Sequence, residues 1–155
     1  MADCYAIISL LDFANQRTRM KVRGALLTGA NFDAQLALVD TLKSTVDALT
    51  QATVADVDMA YGTKISSAPS SVQGARRENK LLVRYQKSGG GGPIMRTLIP
   101  APDLTLANLF LANSEYCNLA TTVVSNFVTA FEAYAKTADG DAVDVLDIKY
   151  VGRNL

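Results

Sequence analysis

A chain of 155 residues, 49% of them hydrophobic, is long enough for one domain with a sizeable core and too apolar for general disorder. Only 19% of residues are charged, below the roughly one quarter usual for a soluble domain, which leaves room for surface covered by partners. Histidine is absent, which removes the usual proton shuttle, the hydrolase triad base and the commonest nitrogen ligand for metals.

Residues 4–13 are nearly all apolar and predict a strand. They soon meet Asp12 and a basic stretch, unlike a cleaved signal, and no apolar run has the length of a membrane span, so no membrane partner is expected. After a turn at Ala14-Asn15-Gln16, RTRMKVRGAL alternates, with Arg17, Arg19, Lys21 and Arg23 on one face and Thr18, Met20, Val22 and Gly24 on the other. Asn31 or Asp33 can cap a helix over residues 32–49, where Leu36, Val39, Lys43, Val46 and Leu49 approximate helical spacing, with Lys43 the polar exception. Residues 53–61 alternate again, with Asp56 and Asp58 on the polar side, and those carboxylates could neutralise the basic row if their strand lay alongside.

The second half repeats this order. Leu81, Val83 and Tyr85 mark a strand, Gly89 to Gly92 a flexible turn and Ile94 to Ile99 a return strand. Val124, Phe127, Val128, Phe131 and Ala135 lie on one face of a helix over residues 122–137, and VDVLDIKYVG forms the last strand. The expected fold is therefore a single α+β domain spanning 1–155, mainly antiparallel sheet with two helices, its halves at 4–62 and 79–152 each reading ββαβ. Duplication of one unit would account for that order.

The remaining signals argue against catalysis. GGGG lacks the Lys-Ser or Lys-Thr and the strand-loop-helix setting of a phosphate loop. Asp139, Asp141 and Asp144 begin like a calcium loop but lack its alternating ligands and closing glutamate, so a helix-ending turn is expected. Cys4 and Cys117 have no histidine to activate them; a single disulfide between them is the alternative to the two buried thiols expected. No nucleophile–base pair or metal constellation is visible, so the chain is expected to be no enzyme and to need no cofactor.

Charge is unevenly placed. Residues 60–99 hold Lys64, Arg76, Arg77, Lys80, Arg84, Lys87 and Arg96 against Glu78 alone, while the flanking segments are net acidic. A basic middle between acidic flanks is self-complementary between copies. The long connections at 62–78 and 100–120 exceed the ~12–15 residues beyond which loops usually bind something, and the second is rich in leucine. An assembly interface is accordingly expected at Arg76, Arg77, Lys80, Arg84, Leu104, Leu106, Leu109 and Phe110, with residues 75–92 ordered at the subunit boundary. The alternative is nucleic-acid binding through Arg17, Arg19, Lys21 and Arg23, supported by the basic segment 76–87. Against it, no aromatic residues interleave with these cations as a base-stacking platform would require.

The segments KLLVRYQ, RTLIPAPDL and FVTAFEAYAKTADGDAVDVLDIKYVGRNL, in that order over residues 76–155, resemble small virion structural proteins of tailed bacteriophages. That resemblance implies a ring, tube or capsid-reinforcing oligomer, either tail component or capsid accessory. It also implies a homo-oligomer in contact with other virion proteins, assembly in the host cytoplasm, a final place in the virion, and no catalytic residues.

Overall fold

The computed structural model describes residues 4–11, 17–50, 53–61, 80–100 and 109–151. Along the chain run β1 (Cys4–Leu11), β2 (Arg17–Arg23), α1 (Phe32–Thr50), β3 (Thr53–Tyr61), β4 (Lys80–Lys87), β5 (Met95–Pro100), α2 (Thr122–Tyr134) and β6 (Val143–Val151). The strands form two three-stranded antiparallel sheets ordered β2-β1-β3 and β5-β4-β6. The α+β architecture is as the alternation predicts. Both halves follow ββαβ, and each sheet puts its first strand in the middle. Shared order does not by itself make the halves copies of one ancestral unit.

One core joins them. Met20 and Val22 from β2, Val39, Leu42, Val46 and Leu49 from α1, Leu81, Val83 and Tyr85 from β4, and Phe127 and Phe131 from α2 belong to a single buried cluster. The helices pack on each other and the strands alternate, so each sheet turns one face to the helix layer and the other outward. The two sheets meet where β2 neighbours β5. There the Thr97 hydroxyl lies 3.5 Å from the Lys21 carbonyl, and the Lys136 N–H donates to the Arg23 carbonyl at 2.9 Å.

Gly24 marks a close approach within this junction. A Cβ built on it would stand 2.6 Å from Cζ of the fully buried Tyr134 ring. Only a residue without a side chain fits there.

Local chemistry explains the element ends. Asn31 opens α1, its carbonyl accepting from the Gln35 N–H at 2.9 Å, but its side chain folds back to accept from the Thr28 N–H at 2.7 Å and to donate to the Leu26 carbonyl at 2.8 Å. Asp33 sits in the first turn, where a carboxylate is favoured by the helix dipole. The second helix stops at Tyr134, three residues before the predicted end, because Lys136 leaves the helix to bridge Ala142 and to meet Arg23. The Gly89, Gly90 and Gly91 turn has φ of 83°, 82° and 90°, a region that side-chain-bearing residues rarely adopt. It is fixed by Gly90 N–H to the Lys87 carbonyl at 2.8 Å and by Gln86 Nε2 to the Gly92 carbonyl at 2.6 Å.

Each third strand carries one extra residue against the central strand: Ala55 beside Ser9 and Leu10, and Leu146 beside Arg84 and Tyr85. In β6 this bulge reverses the parity of the strand. Val143 and Ile148 both point into the core although five positions apart, and Asp147 turns to the outer face. The outer edge of β6 is covered from Ile148 to Tyr150 by residues 115–117: Cys117 N–H donates to the Ile148 carbonyl at 2.8 Å and Tyr150 N–H to the Glu115 carbonyl at 2.7 Å. Further along, the Val145 N–H donates to Glu132 Oε2 at 2.8 Å.

Candidate assembly surface

Among the described residues, no helix lies over the outer face of the β5-β4-β6 sheet. Across it the register aligns Arg96, Arg84 and Asp147 in one row and Leu98, Leu82 and Lys149 in the next. Arg84 donates from Nε to Asp147 Oδ1 at 2.9 Å and from its terminal nitrogen to Oδ2, a bidentate pair. This hydrogen bond, with the carboxylate charge behind it, raises the Arg84 pKa above its ordinary value. Lys149 pairs with Glu115 at 3.6 Å and lies 5.8 Å from the Tyr116 ring centre. Arg96, by contrast, is exposed and has no ion-pair partner among the described residues. Ile94 and Leu98 flank it, 40% and 38% exposed.

The corresponding face of the β2-β1-β3 sheet carries a second basic group. Lys21 Nζ lies 4.5 Å and the Arg23 guanidinium 4.8 Å from the centre of the Tyr5 ring, and Arg23 also donates to the Tyr5 hydroxyl. Strand β1 lies between β2 and β3: Arg19 pairs with Ser9, which pairs with Asp56, and Lys21 pairs with Ile7, which pairs with Asp58. The acidic strand is thus one strand removed from the basic row, so the adjacency that direct neutralisation requires is not met. Lys21 makes no ion pair among the described residues. Arg17 belongs to the same strand, opposite Leu11.

The residues expected at an interface separate into three groups. Arg76, Arg77, Leu104 and Leu106 lie outside the described residues, as do all of 62–78 and residues 101–108 of the second connection. Lys80 and Leu109 lie inside the fold, only 4% and 3% exposed, and Lys80 is engaged in contacts there. Lys80 starts the central strand β4 and is flanked by Pro100 and Val151, so strand pairing draws it in. Arg84 and Phe110 remain at the surface, but each already has an internal partner. The charge of Arg84 is met by Asp147, and Phe110 stands edge-on to Tyr150 at 6.0 Å between ring centres. Arg96 with Ile94 and Leu98 forms the accessible group that sequence reasoning missed. The signal was present in the alternation Ile94, Arg96, Leu98, which fits an outward strand face.

The acidic turn after α2 is occupied by protein groups. Asp141 is 3.5 Å from Lys87, the Ser88 hydroxyl donates to Asp144 at 2.9 Å, and Gly140 closes the turn with φ of 84°. No group of three metal-ligating side chains occurs among the described residues, and no described helix is long and apolar enough to cross a membrane.

Cys117 is a free thiol, 3% exposed, and burial pushes its pKa up from 9.0 to about 11. Such a shift leaves about 100-fold less thiolate near pH 8. In a Cys4→Ser variant, where Cys117 is the sole thiol, a disulfide reagent should label the folded protein at least about tenfold more slowly than the urea-unfolded chain. Equal rates would show that the thiol is accessible.

No protein family, curated protein or solved structure matches this chain.

Proposed function

We propose that this protein is a non-enzymatic structural subunit that assembles with copies of itself into a ring, tube or lattice accessory of a phage virion, built in the host cytoplasm. The observation that carries the reading is the outer sheet face, where Arg96, with no ion-pair partner among the described residues, stands between exposed Ile94 and Leu98. Protein–protein contacts are enriched in arginine and have apolar side chains at their centre. The low charged fraction and the resemblance of residues 76–155 to tailed-phage virion proteins support it, and they carry the virion part of the proposal.

The second reading, nucleic-acid binding, draws on Lys21 and Arg23 beside Tyr5 on the same outer layer. Tyr5 is flanked by both cations, which leaves less of its ring for a base to stack on. One experiment separates the readings. Mass measurement at micromolar concentration should find a discrete oligomer without nucleic acid. Binding of single strands or duplex at physiological salt should be weak. A strict monomer that binds nucleic acid tightly, with affinity falling steeply as salt rises, would replace the first reading by the second.

A further inference from the structure

Among the described residues, the two layers of the fold carry charge of opposite sign without ion-pair partners. On α1, Asp33, Asp40 and Asp47 recur at every seventh residue and are exposed, on the side away from the buried Val39, Leu42, Val46 and Leu49. Two helical turns separate successive carboxylates, so they form one line along the helix. None of the three has an ion-pair partner among the described residues. Beside the first two, Phe32 and Leu36 are 38% and 39% exposed. The helix thus presents two acids next to two apolar side chains.

The sheet layer presents the counterpart. Ile94 and Leu98 are exposed on either side of Arg96, and Lys21 belongs to the neighbouring edge strand. Neither cation is met by a carboxylate of its own chain among the described residues. Arg84, next to Arg96 in the register, has its charge matched by Asp147 and leaves the demand to Arg96.

The geometry points to a contact between copies in which α1 of one molecule seats on the β5 face of the next. Asp33 and Asp40 then meet Arg96 and Lys21, while Phe32 and Leu36 cover Ile94 and Leu98. This deepens the assembly reading and rests on it. The two surfaces differ and belong to opposite layers, so the contact is heterologous: repeated, it closes into a ring or continues as an open stack. Asp33 and Asp40 repel their own kind, as Lys21 and Arg96 do, which disfavours a twofold dimer through either set; Lys43, exposed one turn from Asp40 and Asp47, offsets part of the helix charge toward its C-terminal end.

Charge exchange tests this. An α1 variant, Asp33→Lys with Asp40→Lys, and a sheet variant, Lys21→Glu with Arg96→Glu, change exposed or half-exposed positions. Circular dichroism and thermal melting establish that each folds. Sedimentation should show wild type assembling at micromolar concentration and each variant alone associating at least about tenfold more weakly, because like charges then face each other. Mixing the two in equal amounts should restore assembly, since every junction regains opposite charges. Variants that assemble like wild type, or a mixture that stays dissociated, would overturn the pairing of these faces and leave assembly by another surface standing. A wild-type chain that remains monomeric would overturn both this contact and the assembly reading.

Discussion

Replacing Phe131 by alanine should destabilise the fold by about 3–5 kcal/mol, a large part of the 5–15 kcal/mol typical of a whole domain. Phe131 is fully buried, stands edge-on to Tyr85 at 4.8 Å between ring centres and lies 5.7 Å from Phe127. It therefore ties α2 to the middle strand of the second sheet. Truncation loses the transfer free energy of the ring, the edge-to-face contact and the packing around a cavity that neighbours on rigid elements only partly fill. Phe131→Leu keeps most of the volume and should cost less than half as much. Denaturant titration by fluorescence and circular dichroism measures both. A Phe131→Ala protein within about 1 kcal/mol of wild type would mean that this region is not packed as described.

Gly24→Ala should be nearly as damaging for the opposite reason, at about 2–4 kcal/mol, because it adds one atom where none fits. The new Cβ would lie 2.6–2.7 Å from three atoms of the Tyr134 ring. Tyr134 is fully buried at the end of α2, so its ring has nowhere to retreat without moving the helix. The partner is named, so the cause can be isolated by a double-mutant cycle. In a Tyr134→Leu background the added methyl should cost much less than in wild type. Equal costs in both backgrounds would place the strain elsewhere than at this ring.

These two sites mark where sequence reading succeeds and where it stops. Phe131 was legible as a core residue because it lies on the helical stripe with Val124, Phe127 and Val128. Most strands were legible for a similar reason, a period of two imposed by their sheet, while β1 was legible as an apolar run. Gly24 was legible only as the apolar side of an alternating strand. Its constraint is a tyrosine 110 positions later, and only the packing of α2 against the first sheet brings the two together. The end of α2 was overestimated for the same reason, since Lys136 is drawn out by a carbonyl of β2.

The candidate surface was harder to read than the fold. Arg84 looked available because simple alternation does not reveal the bulge at Leu146, and that bulge is what turns Asp147 toward it. Lys80 looked like part of a basic cluster because its charge is visible in the sequence and its place beside Pro100 and Val151 is not. Arg96 was counted among the basic residues, but its isolation from carboxylates is a property of three strands together. Charge in a sequence indicates what must be balanced; which charges remain unbalanced depends on register.

The covered edge of β6 bears on how such a protein behaves when crowded. A bare strand margin is a template onto which any extended chain can add, and addition of that kind has no natural stopping point. Here residues 115–117 and the Glu132 carboxylate already occupy hydrogen-bonding positions along that margin. Neighbours arriving at β6 find no row of vacant donors and acceptors at these positions, so fibril-like growth is blocked there. Molecules that meet on that side must join through side chains, and joins of that kind can be undone and corrected when a subunit arrives in the wrong orientation.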